Sequence, residues 1–338
     1  MIKDSINKLV HGISLSEYEM TEALNEIMSG LVSPTLISSF LTALKLKGET
    51  IEEITGGAKV LRKKCSSIDL NDLYTIDTCG TGGDNSNTFN ISTAVAFIAA
   101  SAGIPVVKHG NRSVTSKSGS ADVLEALGAN IYLSPTQVEH CILNHNLGFL
   151  FAPNFHSAMK HVAETRKELG FRTIFNILGP LSNPASAKAQ VLGVFEESLT
   201  EPLAHVLKNL GTKHALVVHG MDGIDEITVT TDTKITELRE NKIFTYYLNP
   251  KDYGFTLCKH EDLNGGDARE NGKIIKSIFL GEQGPKRDIL LLNSAAALYI
   301  GRKVDNFRDG ITLASNLLDS GAAYRKLTDY VEETRLLL

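Results

Sequence analysis

Residues 73–108, LYTIDTCGTGGDNSNTFNISTAVAFIAASAGIPVVK, decide the fold. Leu73 to Thr78 reads as a strand, Cys79 to Asn90 as a loop of Gly, Asn, Ser and Thr, and Ser92 to Ala102 as an apolar helix. Ile104 to Lys108 follows as a second strand, His109 to Ser118 as a second polar loop, and Ala121 to Leu127 as another helix. A strand, loop and helix recurring over ~25 to 30 residues predict parallel strands with helical crossovers, a doubly wound, mainly parallel α/β sheet. The pattern resumes at Ala189 to Val194, His214 to His219 and Ile227 to Thr231, before the chain returns to helix around the strongly apolar Ile289 to Ile300.

Upstream, the spacing predicts helices only, so residues 1–71 read as a small all-helical domain and 72–338 as the larger α/β domain. Ser16 with Glu19 forms a capping box before Met20, Ala23, Leu24, Ile27 and Met28. Ser33-Pro34 opens a second helix with Leu36, Ile37, Phe40, Leu41 and Leu44 on one face, and Thr50 with Glu53 opens a third. The Gly56-Gly57 pair in that third helix implies close packing or a kink.

The 338 residues are 42% hydrophobic and 22% charged, which excludes wholesale disorder. Lys and Arg number 34 against 39 Asp and Glu, a formal charge of −5, which argues against a nucleic-acid binder. Affinity for an anion must come from local groups or metal ions. Thr93 to Val107, the longest weakly polar stretch, is too short to span a membrane, and the N-terminus has no secretion signal. Cys65, Cys79, Cys141 and Cys258 form no CxxC, so four buried reduced thiols and a cytoplasmic location are expected.

Chemistry concentrates in four segments. Gly80-Thr81-Gly82-Gly83-Asp84 brings backbone N–H groups close to an anion, and the following helix adds the positive end of its dipole. It is neither a Walker loop nor a dinucleotide fingerprint. Lys108-His109-Gly110-Asn111-Arg112 through Ser120 adds three cations and several hydroxyls at the next strand end. Two such loops on adjacent strand ends suit a ligand with more than one phosphate. Asp225-Glu226, after a strand and His219-Gly220-Met221-Asp222-Gly223, is either a pair of solvated charges or a seat for Mg²⁺. Arg166 and the Arg172 to Pro184 segment offer a guanidinium for a carboxylate or phosphate, although a lone helical Arg is commonly a surface charge. His156 and His161 read as structural or solvated.

Together these segments resemble the anthranilate phosphoribosyltransferase family. The match is carried by Asp77 to Asp84, Asn90 to Thr93, Lys108 to Asp122, Arg172 to Asn183 and His219 to Glu226, in the family's order and spacing, and runs through essentially the whole chain. Ser113 and Thr115 stand where the family commonly has Ala and Ser. The resemblance implies a cleft between the two domains, a homodimer, and a helical segment near residues 165–185 that returns to the small domain. By carry-over, phosphoribosyl pyrophosphate is expected at Gly80, Gly83, Asp84, Thr88, Asn90, Ile91, Ser92, Thr93, Lys108, His109, Gly110, Asn111, Arg112, Ser113, Val114, Thr115, Ser116 and Ser120. Anthranilate is expected at Gly80, Asn111 and Arg166. Two Mg²⁺ ions are expected, one at Ser92 and one at Asp225 with Glu226.

The implied reaction transfers the phosphoribosyl group to the amine of anthranilate and releases pyrophosphate. An aromatic amine is weakly basic and needs little deprotonation before attack, so a general base is optional and His109 is the candidate for it. Two rivals are a pyrimidine nucleoside phosphorylase and a non-catalytic, nucleic-acid-binding relative. The Lys108 to Arg112 run and Asp225-Glu226 disfavour the first; the charge of −5, with Asn111 and Arg166 present, disfavours the second.

Overall fold

Four capped helices open the chain: α1 (Ile2–Val10), α2 (Glu17–Met28), α3 (Pro34–Lys47) and α4 (Ile51–Lys64). They belong to a computed structural model that describes residues 1–84, 86–113 and 117–337. Both expected capping boxes form, with the Ser16 hydroxyl accepting from the Glu19 N–H and the Thr50 hydroxyl from the Glu53 N–H, each at 3.3 Å. Glu53 is itself buried, accepting from the Leu15 N–H and from Lys47, both at 2.8 Å. The Gly56-Gly57 pair serves close packing. A Cβ on Gly56 would sit 2.7 Å from the Glu17 carbonyl, and one on Gly57 3.0 Å from Leu178.

The sheet contains β1 (Ile76–Gly80), β2 (Val106–Gly110), β3 (Leu147–Phe151), β4 (Ala189–Gly193), β5 (His214–Gly220), β6 (Thr233–Arg239) and β7 (Lys242–Leu248). Its order is β3-β2-β1-β4-β5-β6-β7; β1 to β5 are parallel, and β6 and β7 are antiparallel. The crossovers carry α5 (Ile91–Ser101), α6 (Ser120–Leu127), α7 (Pro135–His145), the one-turn α8 (Ala152–Phe155), α9 (Lys160–Leu169), α10 (Ile174–Leu181) and α11 (Thr200–Asn209). After β7 come α12 (Ala268–Phe279), α13 (Pro285–Ile300), α14 (Phe307–Asp319) and α15 (Ala322–Leu336).

Side chains of α5, α13 and α15 share one core with one face of the sheet. Those of α11 share a second core with the opposite face and with α2, α3 and α4. Val162 of α9 and Ile174, Phe175 and Leu178 of α10 lie in that second core, so the 160–181 segment packs on the N-terminal helices. Among the described residues, no helix is long and apolar enough to cross a membrane.

Three expectations need correction. The first two strands begin two or three residues late, because the Ile104 N–H bonds the end of α5 and the Ile76 N–H bonds the Pro105 carbonyl. His109 and Gly110 therefore belong to β2 and not to the loop. Ile227 to Thr231 is no strand: the Asn293 side chain takes both the N–H and the carbonyl of Ile227, at 2.9 and 2.7 Å. Of the four cysteines only Cys141 is fully buried; Cys65, Cys79 and Cys258 are partly exposed, and all four are free thiols.

Candidate active site at the sheet's switch point

From β1 the chain winds one way to β2 and β3, then returns to the other side of β1 as β4. The carboxyl ends of β1 and β4 thus border the crevice where the winding reverses, the place such sheets bind ligands. Gly80 ends β1, Gly193 ends β4, and the loop carrying Asp225 lies across both. A Cβ on Gly80 would sit 2.3 Å from the Asp225 carboxylate, and one on Gly193 1.5 Å from the Asp225 carbonyl. Glycine at both strand ends is what lets that loop descend this far.

The donor loop, residues 80–90, is pinned at its near end. The Thr81 N–H donates to the Gly193 carbonyl at 2.9 Å, and the Gly82 N–H to Asp225 Oδ2 at 2.7 Å. The N–H groups of Gly83 and Asp84 have no acceptor among the described residues, leaving them free for an incoming anion. Asp84 Oδ2 accepts from the Asp225 N–H at 3.3 Å. In the first turn of α5, the Ser92 N–H donates to Glu226 Oε1 at 3.2 Å. Asp84, Ser92, Asp225 and Glu226, distant in sequence, thus meet at one helix N-terminus.

The electrostatics of this cluster are unfavourable until a cation or proton arrives. Burial, then the Asp84 carboxylate, raises the pKa of Asp225; burial, then Asp225, raises that of Glu226 further. Lys108 supplies the nearby positive charge from beneath. It is only 3% exposed, and its ammonium donates to the Thr78 carbonyl and to Ser92 Oγ at 3.2 Å. Burial lowers its own pKa, offset by Asp77, Cys79 and Glu226. Lys108 therefore orients Ser92 and balances the acids.

The second loop is organised by Asp122 of α6. Its Oδ2 accepts the N–H groups of Ser113 and Gly119 at 2.9 and 2.8 Å. Arg112 is held by Asp122 at 3.0 Å, Glu125 at 2.5 Å and the Tyr132 hydroxyl at 2.7 Å. Protein groups thus occupy the guanidinium expected to meet a phosphate. The Asn111 carbonyl accepts from the Ala121 N–H at 3.2 Å and Ser120 Oγ at 3.4 Å. Asn90 joins the two loops by donating to the Ser118 carbonyl at 3.1 Å. Ile91 and Thr93 are buried in α5, and Thr93 Oγ1 has no partner among the described residues. Thr88 pairs with Asn264 in an isolated bridge. Val114, Thr115 and Ser116 lie outside the described residues.

His109 and His156 face each other with ring centroids 5.0 Å apart, and each Nε2 is buried without a partner among the described residues. Burial and then His156 lower the pKa of His109 to about 3, and burial lowers that of His156 to about 4. Both rings are neutral near pH 7, and a base of pKa about 3 has little proton affinity to offer.

Two guanidinia without an ion-pair partner among the described residues complete the inventory. Arg166, on α9, lies 5.3 Å above the Phe175 ring, and burial lowers its pKa. Arg172 stacks on Phe195 at 4.1 Å, and its Nη2 sits 2.9 Å from where a Gly83 Cβ would be. The sequence reading names Arg172 in a segment but not as a binding residue; its partners Phe195 and Gly83 are far away in the chain. Asn293, which fastens the backbone of Ile227 just after the acidic pair, is likewise invisible to local patterns.

An all-oxygen donor set of Ser92, Asp225 and Glu226 suits a hard divalent cation whose shell is completed by phosphate oxygens. Among the described residues, no three His, Cys, Asp or Glu side chains form a ready cage. Asp225, Glu226 and Ser92 converge at one helix end with Asp84 beside them, and this oxygen-rich, acidic donor set fits Mg²⁺.

Residues 73–324 match the glycosyl transferase family a/b domain, and residues 3–65 its helical bundle domain. An anthranilate phosphoribosyltransferase of Acetivibrio thermocellus is 61% identical over 99% of this chain and 97% of its own. The crystal structure of the Thermus thermophilus anthranilate phosphoribosyltransferase superposes with a TM-score of 0.93 at 40% identity, covering 98% of this chain and 99% of that one. The Saccharomyces cerevisiae enzyme, solved in complex with phosphoribosyl pyrophosphate and Mg, superposes with a TM-score of 0.90 at 31% identity over 99% of this chain and 98% of its own. With a sheet, a switch-point crevice and a full-length match all in agreement, this chain belongs to the anthranilate phosphoribosyltransferase family.

Proposed function

We propose that this chain transfers the phosphoribosyl group of phosphoribosyl pyrophosphate to the amine of anthranilate, and that the switch-point crevice is where it does so. The observation that carries the reading is the meeting of the donor loop, the α5 N-terminus and the Asp225-Glu226 loop over Gly80 and Gly193. The amine nitrogen forms a bond to ribose C1 while the C1–oxygen bond breaks, its electron pair leaving with pyrophosphate. The free N–H groups of Gly83 and Asp84 and the Ser92 hydroxyl face the charge that gathers on the leaving group. The new C–N bond makes the nitrogen acidic, so its proton leaves to water without a strong base, in keeping with the neutral His109.

Mg²⁺ would be held by Ser92 and by Asp225 with Glu226, two ions in all, and when bound it neutralises pyrophosphate charge. Gly80, Asn111 and Arg166 would receive anthranilate, with Arg166 on its carboxylate. The remaining donor-site residues are those of the 80–93 and 108–120 segments. A homodimer is supported by Val10, Ile13, Leu31 and Leu46 of the N-terminal helices and their connections, each more than half exposed. A donor bearing several phosphate charges does not cross a bilayer, which supports a cytoplasmic enzyme.

The test is direct. Protein mixed with phosphoribosyl pyrophosphate, anthranilate and Mg²⁺ should extinguish anthranilate fluorescence and release pyrophosphate. No loss at any protein concentration would overturn the reading.

A further inference from the structure

The far end of the donor loop is fastened by a segment that no sequence pattern connects to it. The Gly265 N–H donates to the Asn87 carbonyl at 2.8 Å, Asn264 bridges Thr88, and Asn271 Nδ2 donates to Asn90 Oδ1 at 2.9 Å. Gly265 lies flat against the loop, since a Cβ there would be 2.7 Å from the Phe89 backbone. Residues 260–271 thus form a strap over positions 86–90.

His260 stands at the head of this strap and touches two loops at once. Its Nε2 lies 2.9 Å from the Ser86 carbonyl, which makes Nε2 the protonated, donating nitrogen, because a carbonyl only accepts. Its Nδ1 lies 3.9 Å from Asp222 Oδ2. That carboxylate also accepts from the hydroxyls of Thr228, at 2.8 Å, and Thr230. Asp222 and Thr228 flank Asp225 and Glu226, so their carboxylate-to-hydroxyl bond closes the acidic loop at its base. His260 therefore bonds the donor loop two residues beyond Asp84 and lies beside the acidic loop.

We propose that His260 is a positioning residue for the phosphoribosyl donor. It anchors the Ser86 carbonyl to the 260–271 strap, beside the Asp222 end of the acidic loop, and so sets the spacing between the free Gly83 and Asp84 N–H groups and the Asp225-Glu226 pair. The idea rests on the crevice being the donor site, as proposed above. A loop this rich in Gly, Asn and Ser has many conformers to lose, and a tether that pre-selects one improves ligand affinity without touching the ligand. Anthranilate, expected at Gly80, Asn111 and Arg166, gains nothing from the tether.

His260→Ala should raise KM for phosphoribosyl pyrophosphate about five- to tenfold, the effect of one lost hydrogen bond. It should also weaken pyrophosphate binding in Mg²⁺ by calorimetry to the same degree. KM for anthranilate and kcat at saturating donor should stay within about twofold of the wild-type values. His260→Gln, whose amide nitrogen reproduces the reach of Nε2, should recover most of the loss, whereas His260→Asn should not. The side chain is 35% exposed, so the variants should fold, and thermal unfolding checks this. Equal losses for both substrates, wild-type donor affinity in His260→Ala, or no recovery in His260→Gln would each overturn the proposal. Absence of turnover in the wild-type protein would instead overturn the proposed reaction, while the calorimetric comparison would still judge the tether.

Discussion

Arg166 and Arg172 show how much a single side chain's meaning depends on its surroundings. Each carries a guanidinium over an aromatic ring, and neither is paired with a carboxylate among the described residues. A half-buried cation left unpaired is costly unless a ligand completes it. For Arg166 the expected completion is the carboxylate of anthranilate, through two parallel hydrogen bonds. Arg166→Ala should therefore cost on the order of 2 to 4 kcal/mol in kcat/KM for anthranilate. Affinity for phosphoribosyl pyrophosphate should change much less. Aniline, which lacks the carboxylate, should be a poor substrate for the wild type and lose little more in the variant. Equal losses for the two amines would make Arg166 structural. Lys108 and Arg112, expected from sequence at the donor's phosphates, also have partners within the protein: one underpins Ser92, and the other is held by an intramolecular carboxylate network.

At the scale of the element, the acidic loop resolves an ambiguity that spacing left open. Asp225 and Glu226 are not solvated charges on an exposed turn but lie over two glycines and against the α5 N-terminus. Burial and neighbouring carboxylates raise both pKa values, so the paired charges are costly without a cation or proton beside them. Asp225→Asn with Glu226→Gln should therefore unfold no earlier than wild type, and even later, when Mg²⁺ is absent. The same variant should need on the order of tenfold to a hundredfold more Mg²⁺ and turn over more slowly. An unchanged metal titration with unchanged turnover would return the pair to the role of spectators. The hairpin of β6 and β7 is the element that pattern reading lost, displaced by the apolar run Ile227 to Thr231. Its signal was present: Glu240-Asn241, with φ of 52° and 62°, make the two-residue turn between alternating strands.

Across the whole molecule, folding brings His109 of β2 together with His156 from the connection between β3 and β4 and keeps both neutral. An unfolded histidine takes up a proton from about pH 6.5 downward. The folded rings resist until about 3 and about 4. The unfolded state thus binds more protons in this window, so the stability from neutral burial is complete above about pH 6.5 and is lost as pH falls. Each ring contributes a slope of about 1.4 kcal/mol per pH unit. Asp225 and Glu226 work in the opposite sense, because their folded pKa values are raised. Urea unfolding of His156→Gln should show a slope shallower by about 1 kcal/mol per pH unit between about pH 6 and 4.5. An identical slope would mean that His156 titrates as an ordinary exposed ring.

Local patterns determined the class of this protein and the chemistry of its loops. Capping boxes, helical stripes and the strand-loop-helix period are written in residues within a few positions of one another, and each predicts its element without help from the rest of the chain. The same holds for Gly80 to Asp84, where a run of glycines before an apolar helix already describes an anion seat. Only the tertiary structure decided which strand ends adjoin, and with that the meeting of Gly80, Gly193 and Asp225. It also decided that Lys108 points under Ser92, that Arg172 stacks on Phe195, and that His260 reaches back to Ser86. These pairs are separated by as many as 174 positions, and nothing in either partner's neighbourhood encodes the other. Local structure follows from short-range sterics and periodicity, whereas the site is a product of sheet order, which is settled by how the two cores close.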